Sequence, residues 1–269
     1  MKIINFKSGL GNQIFYYLMV LFLREKYPHE KIYGYYNPQY LKWHNGLEIQ
    51  NVLDVELPPA PFQSKLIAWG IRLLAKVSLF KRLKADDKTF SIDAIYFDGY
   101  WQNKKFFLDN IKKLKYRNES LDPQNKTILD NIKNSSSVSI HIRRGDYLTP
   151  VNQEIYGNIC TIDYYQKAID YIYKKIEKPY FFVFSNDIEW VKSNLKISNA
   201  SFISNNTGKN NWIDMYLMSH CKANIIANSS FSYWGAMLNK NKNIIVIFPK
   251  KWTNKYIPDI FPDEWVGIN

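Results

Sequence analysis

Apolar residues fall along this chain in short unbroken runs that stop at polar clusters, with helix-like stretches of mixed polarity between them. Lys2–Phe6 reads as a first strand, Ser8-Gly9-Leu10-Gly11-Asn12-Gln13 as a tight loop, and Ile14–Lys26 as a strongly apolar helix. Between Lys65 and Lys84, Leu66, Ile67, Trp69, Leu73, Leu74, Val77, Phe80 and Leu83 alternate with Lys65, Arg72, Lys76, Lys81, Arg82 and Lys84. That pattern predicts an amphipathic helix with a cationic face: either a core helix with a solvated side or a contact with a membrane surface. Ala94–Trp101 predicts another strand, leading through Gln102 into a Lys/Phe-rich helix that ends at Leu114.

The second half repeats one theme. Strand Ser137–Ile142 ends at Arg143-Arg144-Gly145-Asp146, strand Tyr180–Phe184 at Ser185-Asn186-Asp187, and strand Ala223–Ala227 at Asn228-Ser229-Ser230. Strands Ser201–Ser204 and Asn243–Phe248 complete the set. Helices are predicted at Ile162–Glu177, Trp212–Ser219 and Phe231–Asn239, with another starting at Asn186 and closed by a capping box to Glu189. Apolar strands alternating with helices predict parallel sheets buried on both faces, with ligands beyond the carboxyl ends of the strands. The polar, Asn-rich stretch Lys115–Ser137 marks the junction. The expected domains are 1–133 and 134–250, with a tail, 251–269, packing back on the fold.

The chain has 269 residues, 46% of them hydrophobic and 16% aromatic, so it can bury a full core. Its net charge of +12 favours an anionic partner: nucleotide, membrane surface or nucleic acid. Two cysteines, Cys160 and Cys221, with no C-x-x-C, predict buried free thiols. No secretory signal is visible, and Ile14–Leu23 is too short to span a bilayer, so the chain reads as cytoplasmic. Asn-x-Ser/Thr triplets at Asn118, Asn199 and Asn228 are then products of an Asn-rich composition.

The chemistry concentrates at the strand ends. Two adjacent arginines offer planar forks that bind phosphate without a metal. Successive side chains on a strand point to opposite sides, so one arginine reaches the phosphates while the other packs or pairs with Asp146; a surface ion pair is the alternative. His141, two residues earlier on the same face as Arg143, can bond a ribose, base or phosphate, or be a satisfied core histidine. Asp187 can read the two donors on the edge of guanine, or simply cap a helix. Asn228, Ser229, Ser230 and Ser232 suit a second phosphate at a helix start, or a plain cap. Gly11 lies in a strand–loop–helix order that can cradle an anion, although Ile14 replaces the third glycine of a dinucleotide fingerprint; a turn needing positive φ is the alternative. No D-x-D occurs, so no metal site is expected; a sugar-nucleotide enzyme without one must neutralise its leaving diphosphate with side chains and helix dipoles, and the arginine pair fits that need.

Four segments carry a resemblance: Gly9-Leu10-Gly11-Asn12-Gln13-Ile14-Phe15, Gly99-Tyr100-Trp101-Gln102, His141 to Tyr147, and Ala227 to Ala236. Phe184-Ser185-Asn186-Asp187 and the Asp214 to Cys221 segment add to it. In this order the chain resembles the bacterial α-1,2-fucosyltransferases of glycosyltransferase family 11. The resemblance implies an α/β, GT-B-like fold of two Rossmann-like domains whose parallel sheets face each other across a cleft. The first domain would be the acceptor side and the second would bind the GDP-sugar. It implies inverting, metal-independent transfer of L-fucose from GDP-β-L-fucose, a substrate rather than a cofactor, to O2 of a galactosyl acceptor in O-antigen or other surface polysaccharide. Arg143, Asp146 and Asn12 would be catalytic, with Asp146 the candidate base and Glu154 the second. His141, Arg143, Arg144, Asn186, Asp187, Asn228, Ser229, Ser230, Ser232 and Gly11 would hold the donor, and Tyr100, Trp101, Gln102 and Glu154 the acceptor. A lipid-linked acceptor would suit a Lys65–Lys84 segment lying at the inner face of the cytoplasmic membrane. Transfer from a different GDP-sugar is the first rival reading, and a basic nucleic-acid-binding module the second; the scattered cations speak against the latter.

Overall fold

A computed structural model describes every residue except 43, 77, 92, 118 and 119, together with the side chains of residues 78 and 79. Val77 of the basic segment and Asn118 of the sequons lie outside the described residues. The chain divides into two compact units, Met1–Arg117 and Asn118–Asn269. The boundary falls earlier than residue 133 because helix α5, named below, is tied to the second unit.

In the first unit, β1 (Lys2–Phe6) and β2 (Ile32–Tyr36) flank α1 (Leu10–Lys26) in sequence, and the short helices α2 (Pro38–Leu41), α3 (Ile49–Val52) and α4 (Phe62–Leu74) precede β3 (Lys84–Ala85) and β4 (Tyr96–Phe97). The four strands form one parallel sheet in the order β2-β1-β4-β3. Strand alternation splits its faces. Ile4, Phe6 and Phe97 meet Tyr16, Met19, Val20 and Leu23 of α1, whereas Ile3 and Tyr96 meet Ala68 and Ile71 of α4.

Four expectations change here. Helix α1 begins at Leu10, so Gly11, Asn12 and Gln13 form its first turn rather than a loop; the left-handed residue of the turn is Ser8, at φ 63°. The Lys65–Lys84 helix ends at Leu74, and a separate 3-10 turn covers Ser78–Leu83. The strand Ala94–Trp101 shrinks to Tyr96–Phe97, because Asp98 leaves the sheet to pair with Lys7 and Lys84, and Asp87 takes the N–H groups of Tyr100 and Trp101. The helix expected to end at Leu114 is two 3-10 segments, Lys104–Phe106 and Leu108–Lys113.

The second unit contains α5 (Pro123–Lys133), β5 (Ser137–Ile142), α6 (Pro150–Tyr156), α7 (Ile162–Lys175), β6 (Tyr180–Ser185), α8 (Ile188–Asn194), β7 (Ala200–Ile203), α9 (Trp212–Met218), β8 (Ala223–Ile225), α10 (Ser230–Met237), β9 (Ile245–Pro249) and β10 (Val266–Ile268). Its six strands are all parallel, in the order β10-β9-β8-β5-β6-β7. Val138, Ile140 and Ile142 turn one face of β5 onto Tyr165, Ala168 and Ile172 of α7. The other face is polar: Ser139 Oγ accepts from Asn224 Nδ2 at 2.5 Å, and the His141 ring lies 5.7 Å from that of Phe231 in α10. Asn125 of α5 donates to Asn206 Oδ1 at 2.8 Å, and Asn206 donates to Asp214 of α9 at 2.7 Å, which fixes α5 in this unit. Residues 251–269 end in β10, which pairs with β9.

Candidate active site

The register of the second sheet brings its polar strand ends together. Ile140 pairs with Ile225, and Ile142 with Ser185. Continuing the three adjacent strands β8, β5 and β6 by a few residues sets Asn228, Arg143 and Arg144, and Asp187 side by side. Arg143, Arg144, Tyr147, Tyr156, Trp190 and Asn228 are among the residues lining a pocket of about 280 Å³.

The two arginines diverge. Arg143 Nη2 donates to Asp146 Oδ1 at 2.8 Å, and its guanidinium lies 5.7 Å from the Tyr147 ring centroid. Arg144 Nε donates to Asp187 Oδ2 at 2.9 Å, and its guanidinium stacks 3.7 Å from the Trp190 ring centroid. Arg143, not Arg144, therefore pairs with Asp146. The chain turns between them at Gly145, whose φ of 31° and close approach to the Asn186 side chain leave no room for a Cβ. The cap of α8 also differs from expectation. Asp187 Oδ1 accepts from Trp190 N, while Asn186 Oδ1 turns back to accept from Arg144 N at 3.1 Å; Glu189 pairs with Lys192 instead of closing a capping box.

His141 is buried, and burial together with the Arg143 charge pushes its pKa down to about 3, so the ring is neutral at physiological pH. Its Nδ1 finds no hydrogen-bond partner among the described residues. A satisfied core histidine is thus not what the structure shows; an orphaned buried nitrogen beside an arginine suits a ligand atom.

Helix α10 starts beside this site with Ser229 as its cap, its side chain accepting from Phe231 N at 3.4 Å, and Ser230 half-buried at the first position. Two assignments here need correction. Asn228 spends its amide on the carbonyls of Tyr156 and Trp252, both at 3.2 Å, and its own carbonyl accepts from Tyr147 Oη at 2.9 Å. Ser232 is fully buried, with its hydroxyl donating to Ser229 O. Both hold the loop rather than present donors to a ligand. Glu154 is exposed, with its carboxylate paired to Lys255 at 3.3 Å.

In the first unit Gln102 Nε2 donates to Asn12 Oδ1 at 3.1 Å. Beside Asn12, Gln13 is fully buried and makes four bonds: to Ser8 O and Gly46 O, and from Glu48 N and Ile49 N. Tyr100 lies under Lys7, 4.9 Å from its ring centroid, at the rim of the unit. Trp101 is buried to 1% exposure among Phe90, Phe97 and Phe106, with φ at 58°; it is a core residue and not an acceptor platform. Gly11 is buried in the first turn of α1. The sequence reading missed Trp190, Tyr147, Gln13 and Asp214. Tyr147, Gln13 and Asp214 lie in segments that carry the resemblance; Trp190 carried no signal.

Comparison with known proteins places these features among sugar-transfer enzymes. Residues 76–269 match the family described as glycosyl transferase family 11. The chain is 34% identical to an alpha-1,2-colitosyltransferase of Escherichia coli over 97% of its own length and 96% of that protein. It is 30% identical to human galactoside alpha-(1,2)-fucosyltransferase 1 over 49% of its length and 38% of that protein. Its fold is that of the fucosyltransferase NodZ from Bradyrhizobium, with a TM-score of 0.54 at 12% identity, over 87% of this chain and 91% of that one.

Proposed function

Because this chain belongs to glycosyl transferase family 11, we propose that it is an inverting, metal-independent enzyme that moves L-fucose from GDP-β-L-fucose to O2 of a galactosyl unit in a surface glycan. The observation that carries this reading is one pocket lined by the ends of β5 and β8 together with Trp190, in which Arg143 is anchored to Asp146 through a single nitrogen and its other N–H groups are left for phosphate oxygens. His141 Nδ1 takes a further atom of the GDP moiety, and the start of α10 adds backbone N–H groups and the Ser230 hydroxyl.

In the reaction, acceptor O2 attacks C1 of the fucosyl group on the face opposite GDP. The new C1–O bond forms as the C1–O–phosphate bond breaks; GDP leaves with the electron pair, and the acceptor proton passes to a base or to water. Arg143 and the helix start stabilise the charge that builds on the diphosphate, the role a metal serves in other transferases. Asp146 remains the candidate base, with its carboxylate held by Arg143; Glu154 is the second. Tyr100, Gln102 and Asn12 are the acceptor-side candidates in the first unit. An Asp146→Asn variant with an unaltered pH–rate profile removes Asp146 as base.

The likeness to a colitosyltransferase along nearly the whole chain favours one rival reading, GDP-colitose as donor. Colitose lacks the 3-hydroxyl of fucose, and a site that hydrogen-bonds this hydroxyl rejects the deoxy sugar by roughly 10⁴-fold or more. Both donors, each incubated with a panel of β-galactosyl disaccharides in the presence of EDTA and followed by linkage analysis, decide between them. The fucose reading requires a fucosyl-α-1,2-galactose product; a product from GDP-colitose alone replaces it.

A further inference from the structure

Helix α4 carries apolar residues on two opposite faces. Ser64, Ala68 and Ile71 are buried, the latter two against the sheet of the first unit. Phe62, Leu66, Trp69 and Leu73 recur at i, i+4, i+7 and i+11, the spacing of a single stripe, and are exposed at 72, 52, 59 and 46%. Core packing accounts for the first face and for none of the second. Isolated surface leucines are ordinary, but a continuous stripe with a phenylalanine and a tryptophan in it marks a contact surface.

The charge around the stripe selects its occupant. From Leu57 to Ala85 the chain has no Asp or Glu, and it has Lys65, Arg72, Lys76, Lys81, Arg82 and Lys84. Lys65, Lys76, Lys81 and Arg82 are all exposed. Where α4 ends, a pocket of about 450 Å³ is lined by Ala75, Lys81, Arg82, Lys84, Asp86, Thr89, Phe90 and Ser91, three cations to one carboxylate, and Asp86 Oδ1 is already taken by Lys88 N and by Thr89 N and Oγ1. A second copy of this chain would set like charges against each other. A surface that is anionic at its rim and apolar beneath satisfies both halves of the pattern.

We propose that α4 and the Ser78–Leu83 turn lie flat on the anionic surface of a lipid bilayer, with Phe62, Leu66, Trp69 and Leu73 among the acyl chains and the cations at the phosphates. Among the described residues no helix is long and apolar enough to cross a membrane, so the contact is one of docking. It uses no residue of the donor site.

The test is flotation of the whole protein with phosphatidylcholine vesicles made with and without phosphatidylglycerol. Binding is expected only with phosphatidylglycerol, and about tenfold weaker at high salt. The double substitution Leu66→Glu with Trp69→Glu, and separately Lys81→Glu with Arg82→Glu, each lower vesicle binding by about tenfold or more. Near-ultraviolet dichroism checks the fold of both variants. The proposal is overturned if the parent does not float at low salt or if both variants float as the parent does. It is also overturned if sedimentation shows the parent to be a dimer that the Leu66/Trp69 variant dissolves. Transfer to a soluble disaccharide, measured on the same preparations, reports separately on the reaction.

Discussion

Arg144 reaches from the end of β5 to Asp187 at the start of α8, Nε to Oδ2 at 2.9 Å, and lies on the ring of Trp190. Asp187 thereby holds an arginine with one oxygen and caps a helix with the other. Two arginines adjacent in sequence have separate duties. One braces the junction of two strand ends, and the other pairs with Asp146 and lines the pocket.

Arg144→Ala should lower stability by about 1–2 kcal/mol, since it removes a partly exposed ion pair and a cation–π stack. Lysine should recover little of this, because it lacks the planar fork. Urea unfolding midpoints of the two variants check the point; full rescue by lysine would show that charge alone matters.

Arg143→Ala should lower the transfer rate by roughly 10²–10³ while leaving the unfolding midpoint close to that of the parent. Steady-state kinetics with GDP-fucose measure it. Near-normal turnover would remove the arginine clamp.

Asn228→Ala should act on stability and not on the donor. Its amide serves two carbonyls inside the unit, so the loss is about 1–3 kcal/mol. GDP affinity by calorimetry should stay within a few-fold of the parent at about 10 °C below the melting midpoint. A selective loss of GDP binding would return Asn228 to the donor site.

His141 and Asp214 titrate against each other. Burial holds His141 near 3, below its unfolded value of about 6.5, so its neutral form costs stability as pH falls through that window, at up to about 1.4 kcal/mol per unit. Burial raises Asp214 to about 7, above its unfolded value of about 3.9, so its contribution is present at low pH and is lost as pH rises from about 4 to 7, at a similar slope. Between about pH 4 and 6.5 the two slopes oppose. His141→Gln should therefore uncover a stability that falls with rising pH, and Asp214→Asn one that falls with falling pH. Urea midpoints across this range measure both; parallel curves for parent and variants would contradict the assignment.

Much of this site could be read from the chain because β5, β6 and β8 are apolar runs that stop abruptly, and their polar ends are the residues that meet. The helix caps could not. Asn186 reads as the cap of α8, but Arg144 N recruits its side chain from a strand more than forty residues earlier, which leaves the cap to Asp187. Trp101 looks like a sugar platform because aromatic residues next to Gln102 suit one; it is buried because Asp87 bends the chain inward there. Strand β2 was missed: Tyr33, Gly34, Tyr35 and Tyr36 form no apolar run, and only pairing with β1 makes them a strand. Helix α4 ends at Leu74 without a glycine or proline to announce it.

Strand β5 is the first strand of its sheet along the chain and sits in the middle of it. Its partner β6 follows after one helical crossover, but Val138 waits for Ala223, 85 positions further on, to complete its other side. Closing so long a loop is slow compared with local pairing. The β5–β6 half should form early with Arg144 and Asp187 already joined, while the Tyr147–Asn228 bond and the start of α10 arrive only when β8 docks. Donor affinity would then appear last on the folding pathway, as a readout of the completed sheet.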